Sequence, residues 1–258
     1  MLAVCAALTA AVACRRTIPP FRPQAELALP LLRYGAPLAI ASLPQWVWNA
    51  RVPQIVMASW MEPRALGLFM VAVAWGHMIL PVSYAVGTVL FPEVASLRRE
   101  ADAHVVLARA VRLSVLAVAA VSVPLIVVTP FGIPWIYGEA FANTIPAAVV
   151  MILAGAVMCV KIVIDQGLRG LGKPKPILRA EVVGLGVTVV AIPVLSTGFA
   201  DVGASLATLL GYGAAVICLL RAASRETRLS LVLLAWPTVR DGQSLWSLLR
   251  SLGPSLKR

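Results

Sequence analysis

Acidic residues are scarce in this 258-residue chain: 11 Asp and Glu stand against 22 Lys and Arg, and charged residues of both signs make up only 13%. So few carboxylates leave no pair placed for general acid–base work and no aspartate-rich segment for magnesium diphosphate chemistry. Histidine is rarer still, His77 and His104 alone, which excludes an H-E-x-x-H zinc helix. Cys5, Cys14, Cys159 and Cys218 lie in apolar runs without C-x-x-C spacing. Neither a zinc site nor a disulfide framework is indicated, and the four read as small packing residues. A G-x-S-x-G elbow is also missing. No catalytic residue, metal site or cofactor is therefore predicted. Alternation of apolar and polar residues, the mark of membrane-barrel strands, persists nowhere.

What the chain has in abundance is apolar length. Hydrophobic residues make up 60%, and the mean hydropathy of +0.90 is outside the range of soluble domains. Crossing roughly 30 Å of hydrocarbon takes about 20 helical residues. Runs of that order recur at 35–60, 67–91, 111–131, 145–168, 182–199 and 202–220, preceded by a shorter one at 1–14. The predicted fold is all-α: a polytopic transmembrane bundle of six full spans plus a partial N-terminal one. In "MLAVCAALTAAVACRR" the charges follow the apolar stretch, where a signal peptide needs them before it. At about 1.5 Å per residue the run covers roughly 21 Å, so it reads as the inward-going end of a longer helix.

The breaks between spans alternate in charge, as the positive-inside rule requires. Basic breaks hold Arg15, Arg16, Arg22 and Arg33; then Arg98, Arg99, Arg109 and Arg112; then Arg169, Lys173, Lys175 and Arg179; then the tail from Arg221. The intervening breaks hold Glu62 with Arg64, then Glu139, then Asp201. The net charge of +11 is thus a topology signal and no nucleic-acid partner is expected. The organisation predicted is a partial transmembrane helix at 1–14, a cytoplasmic linker at 15–33, a six-helix lobe at 34–222 and a basic cytoplasmic tail at 223–258. Within that tail, Leu245, Trp246, Leu248, Leu249 and Leu252 with flanking bases predict an interfacial helix on anionic lipid.

Polar residues inside the spans are the candidates for function. "QWVWNARVPQIV" places Arg51 with Gln45, Asn49 and Gln54 in the first full span. A central arginine costs about 3 kcal/mol on insertion scales, so it marks a cavity, a partner or a ligand, unless its long stem snorkels to headgroups. Lys161 and Asp165, four apart on one helix face, are placed either to neutralise each other or to couple an ion. His77 in "AWGHMILP" is a candidate proton carrier facing a cavity. Pro37, Pro44, Pro53, Pro81, Pro124 and Pro193 lie within spans, where they bend helices and free backbone carbonyls. "GLRGLGKP" matches a phosphate-binding loop except at its last position, where Pro174 offers no hydroxyl for magnesium. Helix-ending glycines explain it more simply.

Several stretches taken in order resemble the polysaccharide flippases, especially the O-antigen type, of the multidrug/oligosaccharidyl-lipid/polysaccharide exporter superfamily. "LLRYGAPLAIASLPQWVWNARVPQIVMASWMEPRALGLFMVA" resembles the helix opening the second lobe with the helix that follows, and "GTVLFPEVASLRRE" the next cytoplasmic connection. "YGEAFANTIPAAVVMILAG", "DQGLRGLGKPKP" and "GFADVGASLATLLGY" resemble the later loop, glycine-rich turn and last hairpin, so the likeness runs from about Leu31 to Leu220. Met1–Cys14 resembles the end of a sixth helix. The resemblance implies two six-helix lobes around a cavity, moving a diphosphate-linked lipid oligosaccharide across the bacterial inner membrane by alternating access. This chain carries the second lobe, so the first is expected from another chain or a homodimer. Of the family's arginine then aspartate-glutamine pattern, Arg51 and Gln54 match, while Pro53 stands where the acid is common.

Two other classes remain open: a lobe of a cation-coupled drug antiporter, which calls for acids facing the cavity, and a truncated, non-transporting membrane fragment. Single cysteines at 64, 139 or 201 are expected to react with an impermeant thiol reagent on intact cells, and cysteines at 98–112 or 173–179 to stay unlabelled; labelling of the 173 loop from outside would overturn the topology.

Overall fold

The computed structural model describes residues 52–59, 62–96 and 100–227, together with Gly35 and Ala39. The chain divides into two compact units, Met1–Pro37 and Leu38–Arg258. Only Gly35 of the first is among the described residues, and the helical bundle belongs to the second. The run at 1–14, the linker and the tail beyond Thr227 lie outside the described residues.

Helices account for almost all of the bundle, with no strand among the described residues, as expected of an all-α fold. They are α1 (Val52–Ala58), α2 (Pro63–Gly76), α3 (Leu80–Ser96), α4 (Glu100–Tyr137), α5 (Ile145–Gly170) and α6 (Pro174–Thr227). Short 3₁₀ turns at His77–Ile79 and Glu139–Thr144 join α2 to α3 and lead into α5. Hydrocarbon offers a backbone no hydrogen bonds, so helices that satisfy their own are the only economical form for such apolar runs. Four segments are long and apolar enough to span: Pro63–Thr88, His104–Tyr137, Glu139–Gly170 and Pro174–Arg225. The last is two spans. At Ala200 the backbone leaves the helix, with φ 46° and ψ −123°, and the chain doubles back. A methyl group added at Gly203 would run into the Leu195 carbonyl, and one at Gly211 into the Thr188 hydroxyl and, at 2.8 Å, the Gly184 carbonyl. Residue numbers rise on one arm as they fall on the other, so 174–199 and 201–227 form an antiparallel hairpin zipped by small residues, as membrane helices favour.

Glycine contacts also orient the other spans. A methyl at Gly76 would lie 2.5 Å from Met151 O, one at Gly155 2.5 Å from Gly76 O, and one at Gly87 3.0 Å from Gln166 Cγ. The constant offset shows that α2–α3 and α5 run parallel. Trp75 Nε1 donates to Thr129 Oγ1 on α4 at 2.9 Å, and Trp75 packs edge-on against Tyr137 with centroids 6.4 Å apart. The basic breaks near 98–112 and 169–179 therefore share one end of the bundle, and the turns at 62, 139 and 200 share the other. Helix α5 is the axis. In its most apolar stretch 67% of residues are buried, against 22–28% in the other spanning segments.

Local details refine the sequence reading. The spans extend beyond their apolar runs, so His104 sits in α4 where a loop is expected. Pro124, Pro130 and Pro134 all lie inside α4, which continues through them. Pro81 is the proline with a local backbone consequence near a candidate residue: having no N–H, it cannot serve the His77 carbonyl four residues back, and Leu80 N–H takes that carbonyl in a tighter 3₁₀ turn. The "GLRGLGKP" segment is a helix terminus. Gly172, at φ 69°, is the left-handed cap, with Gly172 N–H bonding Arg169 O at 2.9 Å and Lys173 N–H bonding Leu168 O at 3.0 Å.

Ala200, with φ 46°, holds a sparsely populated conformation that costs an L-residue about 1–3 kcal/mol, so Ala200→Gly is expected to raise the thermal unfolding midpoint in detergent. Gly211→Leu is expected to lower stability by about 1–3 kcal/mol through overpacking of the hairpin; circular dichroism melts check both.

Candidate functional site

Two buried features stand out: a pocket among α1, α2–α3, α5 and the second arm of α6, and a charge cluster between α5 and the first arm. The pocket is a cavity of about 220 Å³. Gln54 enters it from α1, His77 from the 3₁₀ turn, Tyr84 from α3, and Thr208 and Tyr212 from α6. Phe69, Val73, Leu80, Met151 and Met158 supply the apolar remainder. Helix periodicity accounts for the convergence. Phe69, Val73, His77, Leu80 and Tyr84 recur at spacings of three and four along one face of the α2–α3 span, while Thr208 and Tyr212 are four apart.

Two atoms in this pocket are unusual. Gln54 Oε1 and His77 Nε2 are buried without a hydrogen-bond partner. An unmet buried polar atom costs about 1–3 kcal/mol, so a ligand or water that reaches both is strongly favoured. The hydroxyls nearby are differently placed: Thr208 Oγ1 donates to Ala204 O at 2.9 Å within its own helix.

The charge cluster is denser than the sequence indicates. Lys161 Nζ is bonded to Glu181 Oε1, with both side chains all but fully buried. Arg169 Nε donates to Asp165 Oδ1 at 3.1 Å, one turn apart on α5. Glu181 is also within electrostatic reach of Asp165 and Arg169, so the four act as one balanced group. The two expected neighbours are thus each bonded to a further partner, Lys161 across helices to Glu181 and Asp165 to Arg169 in the favourable order, acid N-terminal to base at four residues.

Of the sequence-derived candidates, Gln54 and His77 come together in the pocket. Lys161 and Asp165 lie apart from it, in the cluster. Gln45, Asn49 and Arg51 lie outside the described residues. Glu181, Tyr84 and Tyr212 escape a sequence reading. The apolar run begins at Val182, one residue after Glu181, so the acid looks like part of a cytoplasmic break; an acid among Arg179 and its basic neighbours was the available signal. Tyr212 is 6% exposed and lies within electrostatic reach of both Glu181 and Tyr84, linking cluster to pocket. Among the described residues no group of three or more His, Cys, Asp or Glu is suited to hold a metal ion.

Apolar spans, a central helix, a hairpin of two spans and a pocket with polar groups define a multi-pass membrane protein with the fold of a transporter lobe. The chain belongs to the polysaccharide biosynthesis protein family, whose model matches residues 2–146, more than half its length. No curated protein matches it. Among solved structures it is similar to a multidrug resistance MATE family transporter of the MOP superfamily in an outward-facing conformation, at 24% identity and a TM-score of 0.60. It is also similar to a MOP superfamily transporter from Pyrococcus furiosus described as having a binding pocket of reversed polarity, at 22% identity and a TM-score of 0.58. A MATE protein in the straight conformation matches at 22% identity and a TM-score of 0.56. Each match covers 82% of this chain and 47% of the other, so the chain spans about half the length of these structures.

Removing one partner of a buried ion pair leaves a stranded charge and costs about 3–5 kcal/mol. Lys161→Met is therefore expected to destabilise the purified protein strongly, and Lys161→Met with Glu181→Met to recover most of the loss, as read from thermal unfolding in detergent.

Proposed function

We propose that this chain is the second lobe of a flippase that moves diphosphate-linked lipid oligosaccharide across the bacterial inner membrane by alternating access. The observation that carries the reading is the polysaccharide biosynthesis family match over residues 2–146. The lobe fold supports it: two lobes are needed to wall a cavity, and the other comes from a separate chain or a second copy. In this reading the end of the bundle with the basic breaks and the C-terminus is cytoplasmic, residues 15–33 link the partial helix to the lobe, and the tail rests on anionic lipid. No catalytic step is involved; the protein binds, reorients and releases.

Arg51 meets the diphosphate, with Gln45, Asn49 and Gln54 supplying nearby polar groups. A guanidinium stays charged and donates two parallel hydrogen bonds to a phosphate, which a lysine cannot reproduce. Ion coupling falls to His77 or to the Lys161–Asp165 region. A drug-antiporter lobe is the second reading, favoured by the likeness in fold to a multidrug transporter. It calls for acids open to a cationic ligand, whereas Glu181 Oε1 and Asp165 are bonded to Lys161 and Arg169, which leaves Glu181 Oε2 and Asp201 Oδ2 as the buried acidic oxygens without a hydrogen-bond partner among the described residues.

With a first lobe co-expressed or fused ahead of Met1, surface glycan is the readout. Arg51→Lys is expected to weaken export, and Arg51→Leu to abolish it with membrane insertion intact. Wild-type glycan in Arg51→Leu would remove the diphosphate contact, and no glycan with any first lobe would favour the non-transporting fragment.

A further inference from the structure

We infer that the 220 Å³ pocket within the lobe is a subsite for a single uncharged sugar ring of the cargo. The inference rests on the flippase reading and deepens it by reassigning two residues: Gln54 and His77 hold the ring, the diphosphate is left to Arg51, and ion coupling to the Lys161–Asp165 region.

Charge is the first argument. None of the side chains lining the pocket is a carboxylate, a lysine or an arginine. Among the described residues the buried Lys161 and Glu181 are bonded to each other. An ionic ligand here would be desolvated without a counter-charge, a cost far above that of a hydrogen-bonded neutral one. A diphosphate and a lipophilic cation are both disfavoured on that ground.

Hydrogen bonding is the second. Gln54 Oε1 only accepts, and His77 Nε2 accepts or donates according to its tautomer. They come from different elements, α1 and the turn before α3, and both are buried and unpartnered. A ligand that satisfies both carries hydroxyls pointing in more than one direction from a compact body. Neighbouring ring hydroxyls of a pyranose do so, and each is both donor and acceptor.

Shape and surface are the third. Phe69, Tyr84 and Tyr212 with Met151 and Met158 give the pocket broad apolar faces. A sugar ring has the matching duality, polar at its rim and C–H at its faces. The volume is below the roughly 300 Å³ at which pockets for drug-sized ligands begin. One ring fits and a chain of them does not. Tyr84, 44% exposed, is the most open of the lining residues and sets the mouth on the α3 side. The turn forced by Pro81 then matters functionally, because it sets the backbone that presents His77.

The test uses the full chain in lipid nanodiscs and saturation-transfer NMR with a panel of methyl pyranosides, with glycerol as control. At least one pyranoside is expected to show saturable transfer through its ring protons, and glycerol none. Gln54→Leu and His77→Phe each remove one hydrogen bond, expected to weaken binding about five-fold, whereas His77→Gln retains it. Gel filtration and circular dichroism establish that the variants are folded. Transfer no greater than that of glycerol for every pyranoside would mean a pocket holding only water and would overturn the inference. So would affinities unchanged in Gln54→Leu and His77→Phe, or saturable binding of a lipophilic cation lost in those variants. The surface-glycan assay separates this outcome from failure of the flippase reading: export with no pyranoside binding removes the subsite alone, and binding without export in any pairing of lobes removes the flippase alone.

Discussion

Hydrocarbon supplies no hydrogen-bond partners, and nearly every feature of this bundle follows from that constraint. Backbone groups close on themselves in helices, and hydroxyls turn back on their own helices, as Ser114 does to Val111 O, Ser196 to Ile192 O and Ser205 to Asp201 O. The indole of Trp75 reaches a threonine 54 residues away. Lys161 and Asp165, which water would otherwise solvate, are held by Glu181 and Arg169. Against such thorough pairing, an unpartnered buried atom is informative. Two of them, on Gln54 and His77, face one pocket.

The same solvent alters what packing must do. Lipid tails are as apolar as leucine, so helices gain little by hiding leucine and more by close approach of their backbones. Gly76 against Gly155, and the hairpin pair Gly203 and Gly211 against Leu195, Gly184 and Thr188, are sites where a methyl group would collide. They fix α5 at the centre and fold α6 on itself. Large side chains such as Val123, Val127, Phe131 and Trp135 on α4 are instead exposed, at 62%, 65%, 76% and 86%, as an apolar surface in lipid allows.

Much of this was legible in the sequence, because hydropathy is additive along a helix. Run length, the alternating charge of the breaks and the glycine turn before Lys173 all act locally, and the predicted spans within the described residues are helical, the one at 67–91 with a 3₁₀ turn at His77–Ile79. The charge cluster was only half legible. Lys161 and Asp165 share a face by periodicity, but Glu181 joins them through a contact between helices 20 residues apart, which no window along the chain reports. Pairing order within α5 was readable in principle, since Asp165 precedes Arg169 by four. The pocket was legible as two separate oddities, a glutamine and a histidine in apolar runs, but not as one site. Tyr84 and Tyr212 have nothing in their local sequence to distinguish them from interfacial tyrosines, and only the packing of α5 against both α3 and α6 brings them to it.

Pocket and cluster together bear on how a lobe of this kind divides its work. The cluster contains two basic and two acidic residues, so it places no net charge within the membrane, and it binds α5 to the first arm of α6 through Lys161 and Glu181. Such a group resists separation, because parting the helices would strand both ions in a medium that cannot solvate them. Those two segments are therefore expected to move as a rigid body. Gln54 on α1 and His77 on the 3₁₀ turn stand outside that bonded pair. A pocket whose hydrogen-bonding groups sit on these elements, while its apolar walls belong to the rigid core, is suited to tighten around a neutral group and to release it when they shift. It is unsuited to draw in a charged one. If the cargo carries a diphosphate, the cation that meets it is none of the side chains that line this pocket.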